Sequence, residues 1–250
     1  MRARDQRIQR RGRALVALVT RRLPQEFDIT GDEDAWPGVG VGLLSRMTTT
    51  LGSILDLQPA QREADAGTLL RSLFEHAVHF AWLAAEPTGP RLKLWREHDE
   101  LMGARAAADA HNHGIDLTDA EPAQIKTRLS ELRGKELKLE QLAVAADKYW
   151  GGRLPGMQSH GEAVSFRGLY AILYRHFSGG MAHPSRRGLN RVYDELGPTR
   201  RRIRLEGEYQ SNGPYSVAMF VFGITLFASG QTIGWPSADE VNAVFARNPV

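Results

Sequence analysis

The 250 residues include no cysteine. Disulfides, thiolate metal sites and cysteine nucleophiles are therefore excluded. Also missing are a GxGxxG turn, a P-loop lysine motif, a GxSxG elbow and an HExxH helix, so the usual nucleotide, hydrolase and metalloprotease signatures are absent. Di-metal helical bundles use a Glu followed three positions later by a His, and no Glu in this chain has that neighbour. His111-Asn112-His113 lacks a third ligand nearby. No metal and no cofactor is expected. Internal repeats, sustained heptads and low-complexity tracts are lacking too. The apolar stretch Ala14 to Val19 is too short for a signal sequence and is closed by Arg21 and Arg22. The longest apolar run, Val217 to Ile233, sits at the short limit of a bilayer span and contains Thr225, Ser229 and Gln231. It reads as a buried core helix, with a membrane role disfavoured and a cytoplasmic location expected.

What is present is ordinary globular composition, 42% hydrophobic and 24% charged, enough to bury a sizeable core in one domain spanning 1–250. The formal net charge of +3 is unevenly spread. Residues 1–24 hold eight arginines and one acid, Asp5, so the remaining body is net acidic. A second basic cluster runs from Arg186 to Arg204, against Asp194 and Glu195. Such clusters attract phosphates, although many are only solvated faces.

Apolar residues recur mostly at helical spacing. The pattern predicts a basic first helix within 1–24, then helices near 41–57, 60–85, 92–110, 118–139, 165–178, 215–231 and 237–246. Thr118-Asp119-Ala120-Glu121 has the form of a capping box. Alternation at 201–209 suggests a strand, and Ser211 to Pro214 a turn. The fold class is all-α, a helical bundle with at most a short β-hairpin near 200–215.

Two constellations could carry chemistry. In the first, Arg71, Glu75 and His79 recur every four residues on one face of the 60–85 helix. That helix is apolar almost all round, so the charges are expected against the interior, either as an ion pair locking helices together or as a polar pocket in the bundle. The second is Tyr174-Arg175-His176-Phe177-Ser178, then Gly179-Gly180 and His183-Pro184-Ser185. A helix ends at the glycine pair, and the proline favours an extended backbone at His183. An imidazole held there could move protons, or could simply make one backbone hydrogen bond.

Together, Leu69 to Glu75 and Tyr174 to Ser185 resemble an uncharacterised bacterial family of helical proteins, a domain of unknown function. In it an Arg-x-x-x-Glu helix precedes a Tyr-Arg…Ser…His-Pro-Ser segment. The resemblance covers Leu43 to Ser185, with a basic segment and C-terminal helices over 186–250. That family is in turn distantly similar to the HEPN superfamily, whose small, often dimeric bundles include metal-independent ribonucleases marked by an Arg and a nearby His. The resemblance implies RNA as a partner, a homodimer, and Arg175 and His183 as the catalytic pair. His183 would move the proton of the attacking 2′-hydroxyl, and Arg175 would stabilise the phosphorane charge. Arg71 and His76 fit less well, because five positions on a continuous helix rotate about 140°. Candidate binding residues are Arg71, Glu75, His79, Tyr174, Ser178, Ser185, Arg186 and Arg187.

Three functional classes remain open. A nucleic-acid-directed protein, a HEPN-like ribonuclease of a defence or toxin system, requires the Arg186–Arg204 cluster beside His183. A non-catalytic ligand-binding or regulatory module requires a pocket at Arg71 and Glu75. An interaction protein requires an exposed apolar face around Val217 to Phe227.

Overall fold

The computed structural model describes residues 3–23, 36, 38–60, 62–87, 89–115, 118, 120–151, 165–173, 193–197, 200–203 and 213–247. In chain order these form α1 (Ala3–Thr20), α2 (Gly38–Leu57), α3 (Glu63–Ala85), α4 (Gly89–Asn112), α5 (Pro122–Glu131), α6 (Leu139–Trp150), α7 (Phe166–Leu169), β1 (Tyr193–Gly197), β2 (Arg200–Ile203), α8 (Gly213–Thr232) and α9 (Ala238–Arg247). The all-α bundle expected from the apolar periodicity is observed.

α3 is the axis of the bundle. Leu70, Leu73, Phe74, Ala77, Val78, Phe80, Ala81 and Leu83 are buried on it, and α2, α6 and α8 pack round it. Glu63 and Asp65 in its first turn complement the helix dipole. α8 is the apolar run at 217–233. It is long and apolar enough to cross a membrane, yet Val221 through Ser229 are all buried inside the fold. Two of its buried hydroxyls are satisfied locally: Thr225 donates to the Val221 carbonyl (2.9 Å) and Ser229 to that of Trp235 (2.6 Å). An exposed apolar face at Val217 to Phe227 is thus not what this helix presents. Only Val217 and Phe220 are half-buried there, because α2, α3 and α9 cover the rest.

α1 lies on α2, α8 and α9 through Ile8, Leu15 and Val19. α9 opens with a reciprocal capping box. The Ser237 N–H donates to the Glu240 carboxylate (2.9 Å), and the Glu240 N–H donates to the Ser237 hydroxyl (3.2 Å).

Two local expectations shift. The capping box read at Thr118 falls three residues later, with Glu121 as its N-cap. Pro122 takes the first helical position, and Gln124 Oε1 accepts from the Glu121 N–H (3.1 Å). The helix then ends at Glu131, where Gly134 adopts φ +80°, so the charged stretch 118–139 yields a short α5 and a separate α6. The β-strands pair 193–197 with 200–203, so only the second falls within the expected 200–215. Their register sets Asp194 opposite Arg202 and Glu195 opposite Arg201.

α7 is tied to α6 by one side chain. The Asp147 carboxylate accepts from the backbone N–H groups of Phe166 (2.7 Å) and Arg167 (2.9 Å), while Ser165 caps Gly168 (2.8 Å). Burial raises the Asp147 pKa against these bonds. Replacing Asp147 by Ala orphans two helix donors and is expected to destabilise the protein by about 2 kcal/mol. In amide exchange the loss of protection should concentrate at Phe166 to Leu169; uniform loss would show that Asp147 does not hold α7.

Candidate functional site

The polar residues of α3 lie on the side turned to α4. Glu75, His76 and His79 sit within two turns of α3. They meet Trp95, His98, Asp99 and Met102, which recur at i, i+3, i+4 and i+7 on α4. Leu43 of α2 closes one side. α4 packs chiefly on α5, and the space left between α3 and α4 is a pocket of about 240 Å³. Arg91 braces the turn between the two helices. Its guanidinium donates to the Trp82 carbonyl, stands over the Trp82 ring (5.3 Å) and pairs with Glu86 (2.8 Å).

The expected Arg71–Glu75 pair is present, Nε to Oε1 at 3.1 Å. It is not in the interior. The two side chains are 27% and 39% exposed, and of the two Glu75 lines the pocket. The apolar surroundings on α3 belong to the faces covered by α2, α6 and α8, and α4 leaves this side open. His79, four residues on, is where the burial falls.

Three imidazoles share the pocket. His76 Nδ1 lies 2.6 Å from the Ser72 carbonyl, which can only accept, so Nδ1 carries the proton and Nε2 of the neutral ring is an acceptor. His98 Nδ1 accepts from the Leu137 N–H (3.1 Å), so Nε2 is the donor in its neutral ring. Burial lowers the His98 pKa, with Asp99 and Glu136 opposing and Arg105 assisting. The His79 and His98 rings lie 6.4 Å apart between centroids, inclined by 18°. Burial, followed by repulsion from His98 and His76, lowers His79 to about 4. His79 is therefore neutral at pH 7. Its Nδ1 is buried and has no hydrogen-bond partner among the described residues. An unpaired buried nitrogen is costly, and a pocket wall is where a ligand could pair it.

Among the described residues no three His, Asp or Glu side chains converge in metal-binding geometry. Tyr174, Arg175, Ser178, His183, Ser185, Arg186 and Arg187 lie outside the described residues, as does most of the Arg186–Arg204 cluster.

A family model described as a family of unknown function, DUF5677, matches residues 38–198. The chain belongs to DUF5677. The match begins at the first residue of α2 and takes in every residue lining the α3–α4 pocket, together with the Tyr174–Ser185 segment. It extends beyond the 43–185 span inferred from the two sequence blocks. α1, α8 and α9 lie outside the DUF5677 match. No curated protein and no solved structure matches the chain.

Trp95, Asp99 and Met102, which flank His98 on α4, are pocket residues that sequence reasoning did not assemble. The i, i+3, i+4, i+7 spacing they share with His98 was the available signal. It is hidden because α4 is amphipathic only weakly, with alanines and charges on most faces.

Proposed function

We propose that the protein is a binding module whose α3–α4 pocket holds a small, planar, nitrogen-bearing ring. The observation that carries this is His79, a neutral imidazole that lines the pocket and whose buried Nδ1 has no hydrogen-bond partner among the described residues. The surrounding chemistry suits such a ligand. Trp95 and the near-parallel His79 and His98 rings offer flat apolar faces, and Leu43 and Met102 add apolar surface. Glu75 and Asp99 accept hydrogen bonds, while the fixed tautomers of His76 and His98 add one acceptor and one donor. About 240 Å³ suits one or two fused rings, below the usual drug-sized range. Adenine, cytosine and uracil are the first probes. At least one of them is expected to raise the melting temperature of the wild type by several degrees and to leave His79→Phe unmoved. Absence of calorimetric binding for all three at millimolar concentration would remove this function.

A metal-independent ribonuclease is the second reading. It is favoured by a row of exposed arginines, on α1 and just after it, that have no ion-pair partner among the described residues. Cleavage of RNA in EDTA by the wild type, abolished by His183→Ala, is the expected result; an inert wild type on a broad RNA panel overturns it.

A further inference from the structure

The described arginine side chains of α1 and of the turn that follows it (21–23) divide into two sets. Arg13 pairs with Asp56, Arg22 pairs with Glu240 (2.7 Å), and Arg11 stands over the Phe245 ring (5.0 Å). These hold α1 to the fold. Arg7, Arg10 and Arg21 are exposed and have no ion-pair partner among the described residues. At 100° per residue these three fall within an arc of about 60°. Arg21 keeps the helical register because its N–H still bonds to the Ala17 carbonyl (3.1 Å). Ala14, Ala17 and Leu18 share that stripe and form one wall of a groove of about 470 Å³. α9 supplies the other wall with Ala243, Val244 and exposed Arg247. The single acid in the groove, Glu240, is already engaged by Arg22 and by the Ser237 cap.

We infer that this α1–α9 face is a docking surface for a nucleic-acid strand, held through its phosphates. It rests on neither the α3–α4 pocket nor cleavage. The row from Arg7 to Arg21 is about 21 Å long at 1.5 Å per residue, the reach of several nucleotides. Its floor is alanine with a half-buried leucine. A lipid surface would call for several bulky apolar side chains able to insert between the basic ones, and this stripe offers one, the half-buried Leu18, between small alanines. Flat, small-residue flooring with charged rims instead lets a sugar–phosphate backbone lie close to the helices. The rest of the molecule is net acidic, so the face also fixes how a polyanion approaches.

The test is fluorescence anisotropy with a labelled, mixed-sequence, single-stranded RNA of about 20 nucleotides over a salt series, enough to span the whole row. Four arginine–phosphate contacts predict a slope of about −3 in log K against log salt. The double variant R10Q/R21Q is expected to flatten that slope by about 1.4 and to weaken binding at low salt at least tenfold. K126Q/R133Q removes the same charge from exposed positions on and after α5 and is expected to bind nearly as the wild type does. Equal losses in the two double variants would overturn the inference, because net charge alone would then govern binding. So would salt-independent binding, or binding to phosphatidylserine vesicles that R10Q/R21Q abolishes while RNA does not bind. Both double variants change exposed side chains, and matching melting curves establish that each is folded.

Discussion

The wild-type protein is expected to lose about 2–3 kcal/mol of stability between pH 7 and pH 4.5 that His79→Phe does not lose. The sign follows from the two states. In the unfolded chain His79 takes up its proton near 6.5, the ordinary histidine value. In the folded protein burial and two neighbouring imidazoles hold it at about 4. Between these values the unfolded state binds more protons, so stability falls as pH falls and is complete above about 6.5. For a chain of 250 residues, the loss corresponds to a melting temperature lower by roughly 5–10 °C. Carboxylates titrate in both proteins, so the difference between the two pH profiles isolates His79. Phenylalanine keeps the ring volume and cannot charge. Parallel profiles would show that His79 is protonated without penalty, and the neutral imidazole at the centre of the proposed site would be lost with it.

Trp150→Ala is expected to cost about 3–5 kcal/mol, more than the loss of Asp147 or the protonation of His79. Trp150 is fully buried at the end of α6, and its indole N–H donates to the Ala81 carbonyl of α3 (2.8 Å). Truncation opens a large cavity and removes the indole's hydrogen bond to that carbonyl, which keeps its own helical bond. Trp150→Phe keeps most of the volume and loses the hydrogen bond, so its cost should be clearly smaller. Chemical denaturation of both variants measures the two contributions. Equal costs would assign the whole effect to the hydrogen bond. Because Ala81 lies two residues beyond His79 on α3, loosening this anchor should also reduce any ligand response of the α3–α4 pocket.

The fold was largely legible from the chain. The stripe from Ala66 to Ala81 is broad enough to require cover on several sides, and α2, α6 and α8 supply it. The uncharged run at 217–233 had to be inside the protein or inside a bilayer, and the structure buries it. Boundaries were less legible. Glycine at 134 could be tolerated within a helix or could end one, and its positive φ ends it.

The candidate site was half legible. The four-residue spacing of Arg71 and Glu75 guaranteed their contact on any helix. Nothing in that spacing said whether the pair would be covered, because cover depends on where α4 lies. Nor could composition single out His98 as the partner of His79. Five other histidines outside α3 were equally available, and only the path of the chain through the turn braced by Arg91 brings these two rings together.

Membership of DUF5677 rests on the sequence of 38–198. The sequence by itself also determined helical class, the absence of thiol chemistry and the concentration of positive charge in the first helix, since each follows from local periodicity or simple presence of a residue type. The tertiary structure decided which arginines of α1 are engaged by Asp56, Glu240 and Phe245 and which are not. It likewise decided that His79 is neutral, because a pKa is set by burial and by neighbours distant in the chain.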